Sequence, residues 1–318
     1  MFQTYFPEKF CREFVEIKGN SIQVAGYMAL VLGLKPFLDD LIPTDKILEL
    51  KKACRKYGLF MREDVVFSPA KIENLGNVID AQYVTSTIAY GLPLGVNVNA
   101  YVHVFITKDK RNLSQGMWYP LVIKNRRILQ PRIDSLKYGK TLGYPACCVN
   151  FFRKFNNWSL YSYLYEVFCN TAKKPHYFCN PFTKDNTYSY IYHMPCAYNC
   201  QETIKWVGRL RREINRKEPS FVSLTDKILK MPFLVFYERK FYIFQGRREK
   251  NRIFYKNAYF CDADKRKDIY SDLFSRGNNL ILKTRTLEIY RNSELIQKIE
   301  IPFTTYAPET PFIMQFYN

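Results

Sequence analysis

Two short cysteine clusters, about fifty residues apart, place the strongest constraint on how this chain can fold. The first, Gly-Tyr-Pro-Ala-Cys-Cys, ends at Cys147 and Cys148. The second, His-Met-Pro-Cys-Ala-Tyr-Asn-Cys, contains His193, Cys196 and Cys200. Each cluster has a proline shortly before its first cysteine, and each continues into a segment with helical character. A fold that uses these residues together has to bring two distant segments to one place.

The net charge indicates which partners the protein could bind, and the cysteine content indicates its cellular compartment. The chain carries 48 Lys and Arg against 29 Asp and Glu, a net charge of +19. This favours RNA or another polyanion as a partner, although the same residues could simply solubilise the surface. No apolar run is long enough for a transmembrane helix, and the N-terminus lacks the pattern of a signal peptide. Nine cysteines without a secretory signal predict thiols or metal ligands in the cytoplasm.

The hydrophobic pattern predicts an α+β (or α/β) protein of two domains. Residues 1–231 are expected to form a helix-rich α/β domain that carries the cysteine clusters, with 1–95 mainly helical and 96–218 holding the core and the site. Within it, Tyr101–Thr107 is an apolar run of strand length without alternation, which indicates burial on both faces. Short aromatic and β-branched segments separated by charged or Gly/Asn turns predict that 232–318 form an antiparallel meander or a small barrel.

A metal site is the first interpretation of the clusters. Structural zinc requires four tetrahedral ligands, commonly from Cys-x2–4-Cys pairs, and Cys196 and Cys200 have that spacing. Cys147 and Cys148 fit less well, because adjacent side chains on a helix diverge by roughly 100°. Both could bind one ion only if the chain turns there.

An iron–sulfur cluster is the alternative cofactor and the favoured one. Three or four thiolates from separated loops suffice, and their spacing need not follow the zinc pattern. His193 or a substrate could then occupy an open iron. The radical-SAM motif Cys-x3-Cys-x2-Cys is excluded, because its third position falls on Thr203.

Two interpretations need no metal. Thiols at the start of helices have lowered pKa values and could act as a redox or nucleophilic site. Alternatively, the cysteines are small buried hydrophobic residues. The matching Pro–Cys contexts argue against simple burial, and metal or cluster binding remains favoured over metal-free thiol chemistry.

The segment 201–217 predicts a basic amphipathic helix. Its apolar residues recur at spacings of three, three and four, which gives one packing face. The cationic residues predicted to contact nucleic acid are Lys205, Arg209, Arg211, Arg212 and Arg216.

Other candidates are predicted to be structural. His103, inside the apolar strand, is expected to be a hydrogen-bonded core histidine, with a pocket residue as the alternative. Cys11 and Cys54 are expected in the core. Cys179 is expected to serve local structure, with a role as a ligand as the alternative. Phosphate-loop, dinucleotide-binding, zincin and serine-hydrolase motifs do not occur.

These motifs resemble a largely archaeal family described only as a domain of unknown function. That family is similar in carrying Gly-Tyr-Pro-x-Cys-Cys before an aromatic pair and, later, His-x-Pro-Cys-Ser-x-x-Cys. The matching residues here are Gly143, Tyr144, Pro145, Cys147, Cys148, Phe151, Phe152, His193, Pro195, Cys196 and Cys200. Ala197 replaces the serine, so no role for a hydroxyl group there is implied. The resemblance implies a site, but it implies no reaction.

The sequence therefore leads to three hypotheses for the function. The favoured one is a metal- or iron–sulfur-dependent enzyme acting on RNA, in tRNA modification or sulfur chemistry, with His193 as ligand or acid–base group. The second is a non-catalytic nucleic-acid-binding protein with a structural zinc site. The third is a metal-free thiol enzyme that acts on a small anionic substrate.

Overall fold

The protein has an α+β fold with helices and two main antiparallel sheets. The computed structural model describes residues 10–18, 24–69, 89–91, 101–115, 122–123, 126–127, 135–155, 160–183, 188–237, 240–262, 269–301 and 311–318.

The N-terminal sheet contains β1 (Phe37–Pro43), β2 (Phe60–Pro69), β3 (Ala89–Gly91) and β4 (Tyr101–Thr107) in the order β1-β4-β2-β3. Every pairing in it is antiparallel, so the parallel sheet of the α/β alternative is not observed among the described strands. The predicted strand at Tyr101–Thr107 is confirmed, and six of its seven residues are buried because it lies between β1 and β2. A two-stranded hairpin, β5 (Val122–Ile123) and β6 (Arg126–Arg127), follows.

Three helices accompany this sheet: α1 (Arg12–Lys18), α2 (Val24–Val31) and α3 (Ile47–Lys56). Residues 1–95, which we predicted to be mainly helical, therefore contain three strands as well. The pattern of β1 concealed this, because Asp39 and Asp40 interrupt its apolar residues. Cys11 and Cys54 are both buried in the core, as expected.

The middle of the chain consists of helices and one long loop. The helices are α4 (Ser135–Thr141), α5 (Ala146–Phe155), α6 (Leu160–Cys169), α7 (Gln201–Asn215) and α8 (Pro219–Leu229). The loop between α6 and α7 buries Tyr188, Tyr190 and Tyr198 completely or nearly so. Backbone and side-chain bonds fix it; for example, the Tyr198 hydroxyl donates to the carbonyl of Leu164 (3.0 Å). The loop that carries the second cysteine cluster is thus part of the core.

The C-terminal part is a seven-stranded antiparallel sheet with one helix, α9 (Ile269–Arg276). Its strands are β7 (Phe233–Tyr237), β8 (Lys240–Glu249), β9 (Arg252–Asp262), β10 (Asn279–Lys283), β11 (Thr286–Arg291), β12 (Glu294–Glu300) and β13 (Phe312–Met314). The order β12-β11-β10-β9-β8-β7-β13 is a meander in which only the last strand returns to the far edge.

The main hydrophobic core crosses the predicted boundary at residue 231. Phe233 and Val235 of β7 and Met314 of β13 belong to the same buried cluster as the N-terminal helices and α7. A second buried cluster, formed by the other face of the sheet and α9, includes Leu234, Tyr242 and Phe274. The alternation of Phe233, Leu234 and Val235 between the two clusters follows from the two-residue period of a strand.

Candidate metal centre

The structure brings the cysteines of both clusters together. Cys147 Sγ lies 3.9 Å from Cys148 Sγ and 3.6 Å from Cys200 Sγ, and Cys148 Sγ lies 3.7 Å from Cys200 Sγ. With Cys196 included, all four sulfurs lie within 4.8 Å of one another. We call these four residues the sulfur set. Four cysteine sulfurs this close could hold a metal ion.

Cys147 and Cys148 lie in the first turn of α5. Pro145 precedes the helix, and its carbonyl accepts the first helical hydrogen bond, from Val149 N (3.0 Å). The divergence of adjacent helical side chains, which argued against a shared ion, is overcome because the helix end lies beside α7. Cys148 points inward and is 2 % exposed, whereas Cys147 is exposed. Both sulfurs still reach Cys200.

The turn before α5 depends on Gly143. This residue has φ +77°, and a Cβ there would lie 2.8 Å from Pro36 Cδ. A glycine therefore meets two requirements, the left-handed backbone and the close contact. Lys35 Nζ donates to the adjacent carbonyl of Leu142 (2.8 Å) and fixes the turn from the same side. The Gly-Tyr-Pro motif thus attaches the start of α5 to the segment between α2 and β1.

The second cluster positions its sulfurs through the start of α7. Cys200 is the residue immediately before this helix, and its carbonyl accepts a bond from Ile204 N (2.9 Å). Cys196 is four residues earlier, where its amide donates to Cys148 Sγ (3.4 Å). Asn170, at the end of α6, donates to the carbonyl of Cys196 (2.8 Å). The sulfur set therefore joins α5, α6 and α7.

Electrostatics explain why this set suits a cation. Hydrogen bonds from the Cys148 and Cys196 thiols, together with Thr203, hold the pKa of Cys200 well below its ordinary value despite burial. Bonds to Cys196 and Cys200, with burial, raise the pKa of Cys148 far above its ordinary value. One thiolate is thus favoured and a neighbouring one is opposed, since like charges at this distance repel. A bound cation would remove that repulsion, and the partial positive charges at the starts of α5 and α7 act in the same direction.

His193 lies beside the sulfur set and is not among the groups that meet there. Its Nε2 is 3.0 Å from Thr203 Oγ1, and Thr203 Oγ1 is 3.6 Å from Cys148 Sγ. Burial lowers the pKa of His193 to about 4, with a smaller contribution from the charge of Lys35. His193 is therefore connected to the sulfurs through one hydroxyl group.

A fifth cysteine packs against the sulfur set, which the sequence pattern did not predict. Cys179 is fully buried in contact with Cys148 and Cys200, and its thiol donates to the carbonyl of Cys200 (3.7 Å). It lies outside the four close sulfurs. The sequence pattern indicates only weakly that Cys179 belongs near the site, because no second cysteine lies at metal-ligand spacing from it.

The basic residues of α7 divide into two groups. Lys205, Arg209, Arg212 and Arg216 are exposed at spacings of four, three and four, so they form one stripe along the helix. Arg211 points elsewhere: its guanidinium donates to Asp226 of α8 (2.6–3.1 Å). The packing face is as predicted, with Val207, Leu210 and Ile214 buried. We refer to the four exposed residues as the α7 stripe.

His103 is a hydrogen-bonded core histidine, as predicted. It is fully buried, and its Nδ1 lies 3.0 Å from Asp64 Oδ2. Its Nε2 lies 3.8 Å from Asp39 Oδ2, which also accepts a bond from the Tyr138 hydroxyl. Bonds to Asp39 and Asp64 outweigh burial and raise the pKa of His103. The apolar strand pattern identified the histidine, but no sequence pattern identified either carboxylate.

The sulfurs of Cys147, Cys148 and Cys200 have the separations of a tetrahedral zinc site. A Zn–S distance of about 2.3 Å gives a tetrahedron edge of about 3.8 Å, and these three sulfur pairs lie 3.6–3.9 Å apart. In the described part of the chain, no helix has the length and apolar character needed to cross a membrane. Comparison with protein-family models, curated proteins and solved structures finds no match to this chain.

Proposed function

We propose that the protein is a zinc-dependent RNA-binding protein, in which the metal fixes the start of α7 and the α7 stripe contacts phosphates. The observation that carries the proposal is the position of Cys200, which belongs to the sulfur set and immediately precedes the stripe-bearing helix. Metal binding at Cys200 would then also fix the position of the helix that carries the α7 stripe.

The sulfur distances support one zinc ion over an iron–sulfur cluster. In a cluster the thiolates bind different irons, so their sulfurs surround a larger body than one ion. Structural zinc sites are closed by four protein ligands, and a four-thiolate set leaves no position for a substrate. Zinc would supply folding free energy here, as structural zinc does in small domains.

The ion pairs of α7 support a phosphate-binding role for the stripe. Lys205 and Arg216 pair with acidic residues one turn earlier, in exposed contacts that add little stability. Arg209 and Arg212 have no acidic partner among the described residues. The four side chains span twelve residues, or about 16 Å of helix, which suits a backbone with several phosphates.

The test is the salt dependence of binding to a short single-stranded oligouridine. Replacing Arg209 and Arg212 with Ala removes two phosphate contacts, so the slope of log K against log salt should fall by about 1.4. The matched control, Arg291→Ala with Lys298→Ala, removes two exposed cations from the C-terminal sheet. Its slope should remain that of the wild type. Equal losses in both variants would mean that only net charge matters, and would contradict the proposal.

Metal identity is tested on protein purified without oxygen. Zinc, iron and sulfide are quantified, and the visible spectrum is recorded. One zinc per chain and a colourless solution are expected. A brown protein with iron and sulfide would contradict the zinc assignment. The proposal also assigns the protein to a reducing compartment such as the cytoplasm, because thiols this close would otherwise oxidise.

An enzyme that acts on RNA is the second candidate, and one observation favours it. Cys147 is exposed while its partner sulfurs are more buried, and His193 is connected to the same sulfurs through Thr203. An exposed thiolate next to a histidine relay could take part in tRNA modification or sulfur chemistry, with or without a metal. Turnover of an RNA substrate that His193→Gln abolishes without metal loss would favour this candidate.

A further inference from the structure

Cys147 is the member of the sulfur set that solvent reaches most readily. It is exposed, whereas Cys196 is partly buried and Cys148 and Cys200 are buried. The oxidation of a cysteine depends on its exposure and on its thiolate character, and cysteines that bind a metal do so as thiolates. A small oxidant that enters from solvent would therefore react first at Cys147.

The distances around Cys147 select one resolving thiol. Its sulfur lies 3.9 Å from Cys148 Sγ and 3.6 Å from Cys200 Sγ. Consecutive Cα atoms are about 3.8 Å apart across a trans peptide, whereas a disulfide usually requires a Cα separation of about 4.4–6.8 Å. A bond between Cys147 and Cys148 would therefore require a distorted backbone.

Cys200 does not have this restriction, because it is remote in sequence from Cys147. The two sulfurs would approach by about 1.6 Å, from 3.6 Å to the length of an S–S bond. Cys147 lies in the first turn of α5, and Cys200 is the residue immediately before α7. A bond between them would thus join the starts of two helices that the sulfur set already brings together.

We propose that Cys147 and Cys200 form a reversible disulfide that displaces the metal ion when the protein meets hydrogen peroxide. Displacement of the metal rests on the proposed zinc site, whereas formation of the disulfide rests on the sulfur geometry alone. Only Cys148 and Cys196 would remain as ligands, and two thiolates do not complete a structural zinc site. Oxidation therefore regulates metal binding at this site.

The chemistry balances with hydrogen peroxide as the oxidant. The Cys147 thiolate attacks one peroxide oxygen, the O–O bond breaks, and the other oxygen leaves as hydroxide, which takes up a proton. The Cys200 thiolate then attacks the sulfur of the resulting sulfenic acid, the S–O bond breaks, and a second water forms in the same way. Two thiolates, one peroxide and two protons give one disulfide and two waters. The zinc ion leaves without a change in its oxidation state.

The disulfide would replace a metal crosslink with a covalent one between the same two helices. The start of α7 then stays attached to α5 after the metal has left. We therefore expect the oxidised protein to lose its zinc but to keep its helical circular dichroism and the salt dependence of its RNA binding. A dithiol reductant together with zinc should restore the metal-bound form.

The experiment uses the full-length protein, purified without oxygen and then treated with hydrogen peroxide. A chromophoric chelator measures the released zinc, free thiols are blocked by alkylation, and disulfides are mapped by mass spectrometry without reduction. We expect one zinc released for each disulfide, and Cys147 linked to Cys200. Cys169 is the internal control, because it is also exposed but lies outside the sulfur set. It should be oxidised without forming a disulfide within the chain.

Two variants test the resolving thiol without relying on bound metal. Cys148→Ser keeps both partners and should still form the disulfide between Cys147 and Cys200. Cys200→Ser lacks the resolving thiol, so the sulfenic acid at Cys147 should persist and be trapped by dimedone. A first disulfide at any other pair, including Cys147 with Cys196, would overturn the proposal. Oxidation of Cys169 while the sulfur set stays reduced would do the same.

Failure of this inference differs from failure of the proposed function. A protein that binds zinc but retains it after peroxide treatment would contradict the inference and leave the zinc site intact. A protein that contains no zinc would contradict the zinc assignment, and the disulfide would then be mapped in the metal-free chain by the same procedure.

Discussion

Replacing Cys148 with Ser, compared with the same change at Cys179, isolates the contribution of the proposed metal ion. Both side chains are buried, at 2 % and 0 % exposure, and both pack in the same group of cysteines. Only Cys148 belongs to the sulfur set; the Cys179 thiol donates to a backbone carbonyl, which a serine hydroxyl can also do. The two variants share the type of substitution and the buried surroundings, and only Cys148→Ser removes a proposed metal ligand.

The expected magnitudes follow from this difference. A buried serine hydroxyl that is poorly hydrogen-bonded lowers the free energy of unfolding by about 1–3 kcal/mol. The loss should be smaller in Cys179→Ser, because the hydroxyl there has a carbonyl acceptor. Zinc that binds only the folded state stabilises it by about 1.4 kcal/mol for each tenfold rise in free zinc above Kd, and by about 2.7 kcal/mol at 100 times Kd. Wild type and Cys179→Ser should show this dependence. Cys148→Ser has three thiolates left and should show none over the same range.

The assay is guanidinium unfolding under reducing conditions, with free zinc buffered over two to three orders of magnitude. The free energy of unfolding is plotted against the logarithm of free zinc, and bound zinc is counted in parallel. A zinc-dependent slope in Cys148→Ser, or loss of the slope in Cys179→Ser, would contradict the expected zinc linkage. Either result would mean that the four close sulfurs are not the ligands.

Three further predictions concern the surroundings of the site. Gly143→Ala should destabilise the protein by more than Gly58→Ala. Both glycines have positive φ, which costs alanine about 1–2 kcal/mol, but only at Gly143 would the Cβ also clash with a neighbour. Equal losses of stability in thermal unfolding would contradict the clash. The pKa of Lys35 is lowered to about 7 in the folded protein, so the unfolded state binds more protons between pH 7 and about 10.4, and stability should rise there by up to about 1.4 kcal/mol per pH unit. Lys35→Met should lack this rise, and an unchanged pH profile would count against the buried amine. Arg211→Ala breaks the paired contact with Asp226 and should cost about 1–3 kcal/mol of stability, with no change in the salt dependence of RNA binding.

Local sequence patterns were sufficient wherever a segment's structure depends on its own residues. The spacing of apolar residues predicted α7 and its buried face, because 3.6-residue periodicity is a property of the helix itself. The apolar run Tyr101–Thr107 predicted a buried strand, because a continuous apolar run of strand length is also a property of the segment itself. It could not predict the antiparallel direction of its neighbours. Direction depends on how β1 and β2 return along the sheet, which is a property of the connections.

Residue type and spacing alone predicted that the candidate site would involve Cys147, Cys148, Cys196 and Cys200, because four of the nine cysteines fall in two short clusters. Tertiary structure decided the rest. It brought the start of α5 to the start of α7, so that adjacent cysteines could meet a second pair. It turned Arg211 away from the exposed stripe and towards Asp226. It also buried Lys35 between two tyrosines that are distant in sequence. These features depend on contacts between remote segments, and such contacts are set by the packing of the whole core, which no local pattern records.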